Sequence, residues 1–271
     1  HILFGGLMVA AALMLLGPQY WIFDLFIHFV PQFCVAALVV LIMLLAKRKW
    51  AQVLVLGAVF VYFAWSLLYL WVPATDRIAP MLDQKTLKVL HANVNFNNTE
   101  FQPLLGIIES ERPQIVSLNE VTEAAAEKIR RSLDETYPYR FQHLSPDYRG
   151  MIVLSQIPIA ESERIVFSPE TSPTLRLTFA DPALTFFAVH ALSPISESWA
   201  SQRDAFTRDL ASRANQVEGS VLVAGDLNTS PHSVLFSELL REGRLEDARR
   251  GFGWKPTWLI DTPIATAIDH F

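Results

Sequence analysis

Three long apolar runs, Ile2–Leu16, Phe29–Ala46 and Ala51–Val72, open the chain, and beyond Pro73 short β-type runs alternate with helical patterns. Crossing the hydrocarbon of a bilayer takes about 20 apolar residues. The third run meets that length and the second approaches it. Joined by short links, the three read as a three-helix transmembrane anchor over residues 1–72, with the lipid bilayer as its partner through residues 2–72. The stretch Gln19–His28 mixes aromatic residues with Asp24 and His28, and reads as a surface-lying connector whose Tyr20 and Trp21 suit the membrane interface.

A linker carrying two prolines is expected over residues 73–86, and a globular domain over 87–271. There, strand Leu87–Ala92, helix Thr99–Glu111, strand Ile115–Leu118 and helix Glu123–Leu133 alternate, which is an α/β order. The middle is purely strand-like: Met151–Leu154, Arg164–Phe167, Thr174–Phe179 and Leu184–Val189 follow one another without helices, predicting antiparallel pairing. A polar helix over Trp199–Gln216, strand Val221–Ala224, helix Ser233–Arg241 and a short strand from about Thr266 complete the domain.

Charge sharpens this division. From Ile2 to Val72 the formal charges are Asp24, Lys47, Arg48 and Lys49, which leaves 19 basic and 26 acidic side chains from Pro73 onward, a net of −7. So acidic a domain argues against broad electrostatic capture of nucleic acid, which depends on Lys and Arg neutralising phosphates. The basic link Lys47-Arg48-Lys49 places that turn in the cytoplasm. The third helix then exits outward, so a multi-pass protein of a bacterial inner (cell) membrane with its domain in the periplasm or outside is expected. Cys34 is the sole cysteine, so neither a disulfide framework nor a cysteine zinc cluster can be built from this sequence. With His1 where a methionine would stand and Phe271 inside a strand-like stretch, the chain is expected to continue at both ends.

Several strands end in acids, amides or a histidine where the chain leaves the sheet: Asn93 and Asn95, Asn119-Glu120, His190, Asp226 with Asn228, and Asp269-His270. Such ends converge on one crevice in many open sheets. The carboxylates Glu120, Asp226 and Asp269 with the amides Asn93 and Asn228 form a hard oxygen set suited to Mg²⁺ rather than zinc. Asn119 reads as a turn or cap residue, and His91, His143 and His232 as structural or surface histidines. Arg203 is expected to pair with carboxylates on its own helix, and Trp254 and Trp258 to anchor a loop.

The ordered motifs, Asn93 after a strand, Glu120 in SLNEV, Gly150-Met151 leading into IVLSQIPI, His190 in VHALSP, Gly225–Asn228 as GDLN, Pro256-Thr257-Trp258, and Ile268-Asp269-His270, resemble those of the endonuclease/exonuclease/phosphatase superfamily, with its deoxyribonuclease-I-like fold. The likeness covers about residues 87–271, and the helical front is similar to that of bacterial membrane-anchored members. It implies a four-layer α/β sandwich, two packed mixed sheets flanked by helices. It further implies a phosphoesterase in which Glu120 is the principal Mg²⁺ ligand, with Mn²⁺ as a substitute, and Asn93 and Asp269 hold the metal or its waters. Asp226 would orient or deprotonate the attacking water, Asn228 would bond a phosphate oxygen, and His190 would stand beside the scissile phosphate. The implied partner is a phosphodiester, nucleic acid or phospholipid headgroup, with no obligate protein partner. The superfamily's closing Ser-Asp-His motif does not occur before Phe271, and Ala267 stands where an arginine is usual. Those departures motivate the alternative of a catalytically inactive, membrane-tethered scaffold. His270 is expected to be a neighbour of Asp269 rather than the missing histidine.

Overall fold

The computed structural model describes residues 2–17, 20–73 and 86–271. Apart from Pro73 and Thr86, the expected linker lies outside the described residues. Four helices form the front: α1 (Ile2–Leu16), α2 (Trp21–Ile27), α3 (Val30–Ala46) and α4 (Trp50–Trp71). At 1.5 Å per residue the 22 residues of α4 reach about 33 Å, enough for a hydrocarbon core of about 30 Å. The 17 residues of α3 reach only about 26 Å and the 15 of α1 about 22 Å. The expectation of three spanning helices is therefore corrected: among the described residues α4 alone is by length and composition long and apolar enough to cross a membrane, and α1 with α2 qualifies only as one bent pair. Leu54 and Trp65 on α4 are each 74% exposed. The connector around Asp24 is also revised, since α2 is helical and both Asp24 and His28 are buried.

The rest of the chain builds two sheets. In one, β1 (Val89–Asn93), β2 (Ile115–Asn119), β4 (Met151–Ser155) and β3 (Tyr139–His143) lie side by side in that order. In the other the order is β5 (Glu161–Ile165), β6 (Thr174–Ala180), β7 (Ala183–His190), β8 (Val221–Asp226) and β9 (Asp269–His270). Both sheets are mixed: β1 and β2 are parallel, as are β7 and β8, while β2–β4, β3–β4, β5–β6, β6–β7 and β8–β9 are antiparallel.

The alternation of side chains along each strand explains the layering. On β2 and β4, Ile115, Met151 and Val153 meet Leu175, Leu177, Phe186 and Ala188 of the opposite sheet. Their neighbours Val116, Leu118, Ile152 and Leu154 turn outward onto Ile108, Ala125 and Ile129, which lie on α5 (Gln102–Glu111) and α6 (Glu123–Leu133). In the second sheet Phe187, Val189 and Val223 pack beneath Phe206, Leu210 and Phe236 of α7 (Glu197–Asn215) and α8 (Val234–Gly243). Helix, sheet, sheet, helix is the resulting order. The helices start where hydroxyls cap them: Thr122 accepts from the Ala125 amide, Ser196 from Trp199, and Ser233 from Leu235.

The front is joined to this sandwich by specific bonds. The Leu70 carbonyl at the end of α4 accepts from the Gly251 and Gly253 amides at 2.8 and 3.0 Å. Thr266 Oγ1 donates to the His28 carbonyl at 2.9 Å, and Gln32 Nε2 to the Ala265 carbonyl at 2.6 Å.

Candidate active site

Parallel pairing brings strand ends to one edge. The register sets Asn93 opposite Asn119 and His190 opposite Asp226, and the antiparallel β9 sets Asp269 opposite Asp226. His190, Asp226 and Asp269 thus form a row across three strands and share a face. Glu120 follows β2 directly with φ of 61°, in the left-handed region that non-glycine residues seldom adopt. Asn95 and Asn228 share that geometry, with φ of 61° and 48°. Such conformations gather at functional sites, where the surroundings hold them in place.

Two glycines permit the approach of these strands. A Cβ on Gly225 would lie 1.9 Å from the Val189 carbonyl oxygen, and one on Gly150 would lie 1.9 Å from that of Val121. Asn119, expected at a turn, is instead fully buried and ties the sheets together, its Nδ2 donating to the Val189 carbonyl at 2.8 Å.

The side chains line one cleft of about 380 Å³, bordered by His91, Asn93, Glu120, Asp226, Asn228, Trp258 and Asp269. Asn93 Nδ2 bridges two carboxylates, donating to Glu120 Oε1 at 2.7 Å and Asp226 Oδ2 at 3.1 Å. Its oxygen accepts from the Asn95 amide, and the Phe96 amide donates to Glu120 Oε2 at 3.2 Å. His190 Nε2 lies 3.8 Å from Glu120 Oε1 and 4.0 Å from Asp226 Oδ2, beyond hydrogen-bond length but within strong electrostatic reach. Its Nδ1 is 3.2 Å from Ser172 Oγ, and the Tyr148 ring meets it edge-on. Asn228 is held firmly: its amide donates to Asp226 Oδ1 at 2.8 Å, its Nδ2 to the Ala191 carbonyl at 2.9 Å, and its Oδ1 accepts from Ser193 at 3.2 Å.

Burial and crowding set the proton affinities. Asp226 is pushed well above the usual carboxylate range, first by burial and then by the charge of Asp269; the Asn228 amide, Asn93 and Glu120 act after these, the first two in the opposite sense. Burial lowers His190 below the ordinary imidazole value, although Glu120 and Asp269 pull the other way. For Asp269 burial is outweighed by the bond and charge of His91, by Thr257 and by His190, so its carboxyl falls below the ordinary range. The motif threonine also has a backbone role, Thr257 Oγ1 accepting from the Ile268 and Asp269 amides at 3.1 Å each.

His91, expected to be a structural or surface histidine, borders the cleft. Its Nε2 lies 3.0 Å from Asp269 Oδ1. The signal was its position two residues before Asn93 on the same strand, which puts both on one face. Ser172, Ser193 and Tyr148 had no such marker, because each arrives on a loop. His270 faces away from the cleft, as the residue after Asp269 in a strand must. It packs on Phe236 with ring centroids 4.2 Å apart, its Nε2 lies 2.7 Å from the Thr229 carbonyl, and Nδ1 meets Arg249. Arg203 does pair with Asp204, as expected, but also reaches Asp24 on α2.

A family model described as endonuclease/exonuclease/phosphatase matches residues 90–271, which contain every one of these cleft residues. The chain belongs to this family. Solved structures with the same fold include D. rerio TDP2 in complex with a single-strand DNA product, at 17% identity and a TM-score of 0.54, covering 68% of this chain and 82% of that one. Sphingomyelinase C from Streptomyces griseocarneus is 21% identical with a TM-score of 0.48, covering 59% of this chain and 70% of that one. No curated protein sequence matches the chain significantly.

Proposed function

We propose that this member of the endonuclease/exonuclease/phosphatase family is a membrane-anchored phosphodiesterase that cleaves by attack of water on phosphorus. The observation that carries the reading is the meeting of Glu120, Asp226 and Asn93 from three strand ends at one cleft, where the Asn93 amide bridges the two carboxylates and the buried His190 Nε2 lies 3.8 Å from Glu120 Oε1. Asp226, with its raised proton affinity, orients the attacking water and takes its proton. His190, neutral through burial, supplies a nitrogen beside the reacting phosphorus, and Asn228 offers an amide to a phosphate oxygen. His91 fixes Asp269.

A divalent cation fits the donor set. Glu120, Asp226 and Asp269 concentrate negative charge in one cleft, and burial, followed by the charge of Asp269, already raises the proton affinity of Asp226. Among the described residues no group of three or more His, Cys, Asp and Glu side chains is arranged as a metal cage. Mg²⁺ does not require one, since it keeps several waters and binds through one or two carboxylates. In this reading Glu120 is the principal ligand, and Asn93 and Asp269 hold the metal or its waters. When bound, the ion supplies Lewis-acid stabilisation of charge developing on the phosphoryl oxygens.

The net charge of −7 from Pro73 onward disfavours long nucleic acids, and α4 favours a substrate presented at a bilayer, so a phospholipid headgroup belongs among the substrates to be assayed first. The anchor is assigned to residues 1–72 and the catalytic domain to 87–271, on the outer side of the membrane. The test is hydrolysis of bis(p-nitrophenyl) phosphate, DNA, RNA and phospholipid by the full chain in detergent, with Mg²⁺ and with a chelator. Glu120→Ala and Asp226→Ala should each reduce turnover by about 100-fold or more. Activity surviving both substitutions unchanged removes the site assignment, and no hydrolysis of any substrate favours the scaffold reading.

A further inference from the structure

The helical front reaches the candidate active site through one buried ion pair. Arg203 on α7 is 1% exposed, and its planar guanidinium is committed in three directions. Nε and Nη2 donate to Asp204 Oδ1 at 2.9 and 2.7 Å, Nη2 also donates to Asp24 Oδ2 at 3.0 Å, and Nη1 donates to the Asn228 carbonyl at 3.1 Å. Asp24 belongs to α2, 179 residues away in sequence, and its other oxygen accepts from Ser233 Oγ at 3.1 Å. Ser233 in turn caps α8. One carboxylate from the front thus cross-links α7 and α8 at the two ends of the 228–233 loop.

That loop begins with a residue that needs support. Asn228 sits at φ of 48°, where a non-glycine residue is held only by its surroundings. Its amide and side chain are fixed within the sandwich by Asp226, Ala191 and Ser193, and its carbonyl by Arg203. A guanidinium offers its donors in a rigid fork, so the anchors on one side determine where the other nitrogen points. Ser230 Oγ to the Ile27 carbonyl, at 3.5 Å, adds a weaker tie between the same loop and α2.

We propose that Asp24 is a positioning residue for the active site: through Arg203 it fixes the backbone of Asn228, so that the N-terminal helices are part of the catalytic unit and not a tether alone. The proposal rests on the phosphodiesterase reading of the cleft. It predicts an effect on turnover greater than that on substrate affinity, because what is lost is alignment.

The experiment is a double-mutant cycle in the full chain, in detergent, with bis(p-nitrophenyl) phosphate as substrate and thermal unfolding recorded alongside. Asp24→Ala should lower kcat by about tenfold or more with KM changed by less than about threefold. Asp24→Glu should recover part of the loss. In an Asn228→Ala background, Asp24→Ala should lower the unfolding midpoint again but leave kcat where Asn228→Ala alone had put it, since the two act on one element. Where Asp24→Ala fails to accumulate, Asp24→Asn keeps the side-chain shape and gives the same readings. Wild-type kcat in Asp24→Asn and Asp24→Ala, or full multiplication of the two effects, overturns the proposal. Loss of the phosphodiesterase reading itself would be recognised separately, by Glu120→Ala retaining full activity.

Discussion

Replacing Gly225 by alanine tests the geometry on which the cleft depends. The added Cβ would lie 1.9 Å from the Val189 carbonyl oxygen, 2.7 Å from its carbonyl carbon and 2.7 Å from Val189 Cγ2. Ordinary contact for such a pair begins at about 3.4 Å, so β7 and β8 must separate locally by more than about 1 Å. The obstructing oxygen belongs to backbone that already accepts from Asn119 Nδ2, so no rotamer change relieves the clash. Overpacking of a well-filled interior costs about 1–3 kcal/mol, and a clash with backbone belongs at the upper end. At roughly 2–4 °C per kcal/mol for a chain of this size, the unfolding midpoint should fall by about 6–12 °C. The next pair along the ladder is His190 and Asp226, so the same displacement moves the proposed base relative to the histidine, and turnover should fall by about 100-fold. Gly106→Ala is the control: it lies in α5 with nothing within 4 Å of the added Cβ, and should raise stability by about 0.4–1 kcal/mol without altering turnover. Thermal melts in detergent and steady-state kinetics of both variants decide the matter. A Gly225→Ala protein that melts within 2 °C of the wild type, by the roughly 1 kcal/mol that this represents, and turns over normally refutes the reasoning.

Three further expectations follow from the same structure. Asn119→Ala leaves the buried Val189 carbonyl without its side-chain donor and should lower stability by about 1–3 kcal/mol, read from the denaturant midpoint. Burial first, then Arg249 and His28, hold the His232 imidazole down at about 4, so on acidification below about 6.5 the unfolded chain takes up a proton that the native fold refuses. His232 should therefore contribute a loss of about 1.4 kcal/mol per pH unit from pH 6.5 toward 4, and His232→Gln should reduce the slope of stability with pH by about that much; an unchanged slope rejects the assignment. For orientation, a Cys34→Ser chain carrying Glu218→Cys, an exposed position on the α7–β8 turn, should react with a membrane-impermeant maleimide in intact cells, and protection until lysis would reverse the proposed topology.

The sequence made the interior strands legible and hid two of the edge strands, for a physical reason. β2, β4, β6, β7 and β8 are apolar runs bounded by turns, and each was read to within a residue or two. β3 (YRFQH) went unread, and the expected strand Arg164–Phe167 lies instead at Glu161–Ile165 (ESERI). Both are edge strands, whose solvent-facing positions erase the alternation that marks a half-buried strand. The apolar helix α4 was legible as composition, but the shorter lengths of α1 and α3 depended on helix ends that apolarity does not mark. In the cleft, residues followed by a distinctive turn, Glu120, Asp226 and Asn228, announced themselves through SLNEV and GDLN. His91 did not, because a histidine inside a strand carries no turn signal. Nor did the meeting of Asp24 and Arg203, since no local pattern connects residues 179 apart.

The two outer rims of the sandwich carry another consequence. Arg140 on β3 and Glu161, Glu163 and Arg164 on β5 place charges of both signs on one margin of each sheet. On the membrane-anchored reading proposed above, copies would meet in two dimensions, all upright and at high local density, where open strand margins would readily zip together. Desolvating those charges would make such lateral growth unfavourable, so crowding on the lipid surface should leave the cleft mouths separate and accessible.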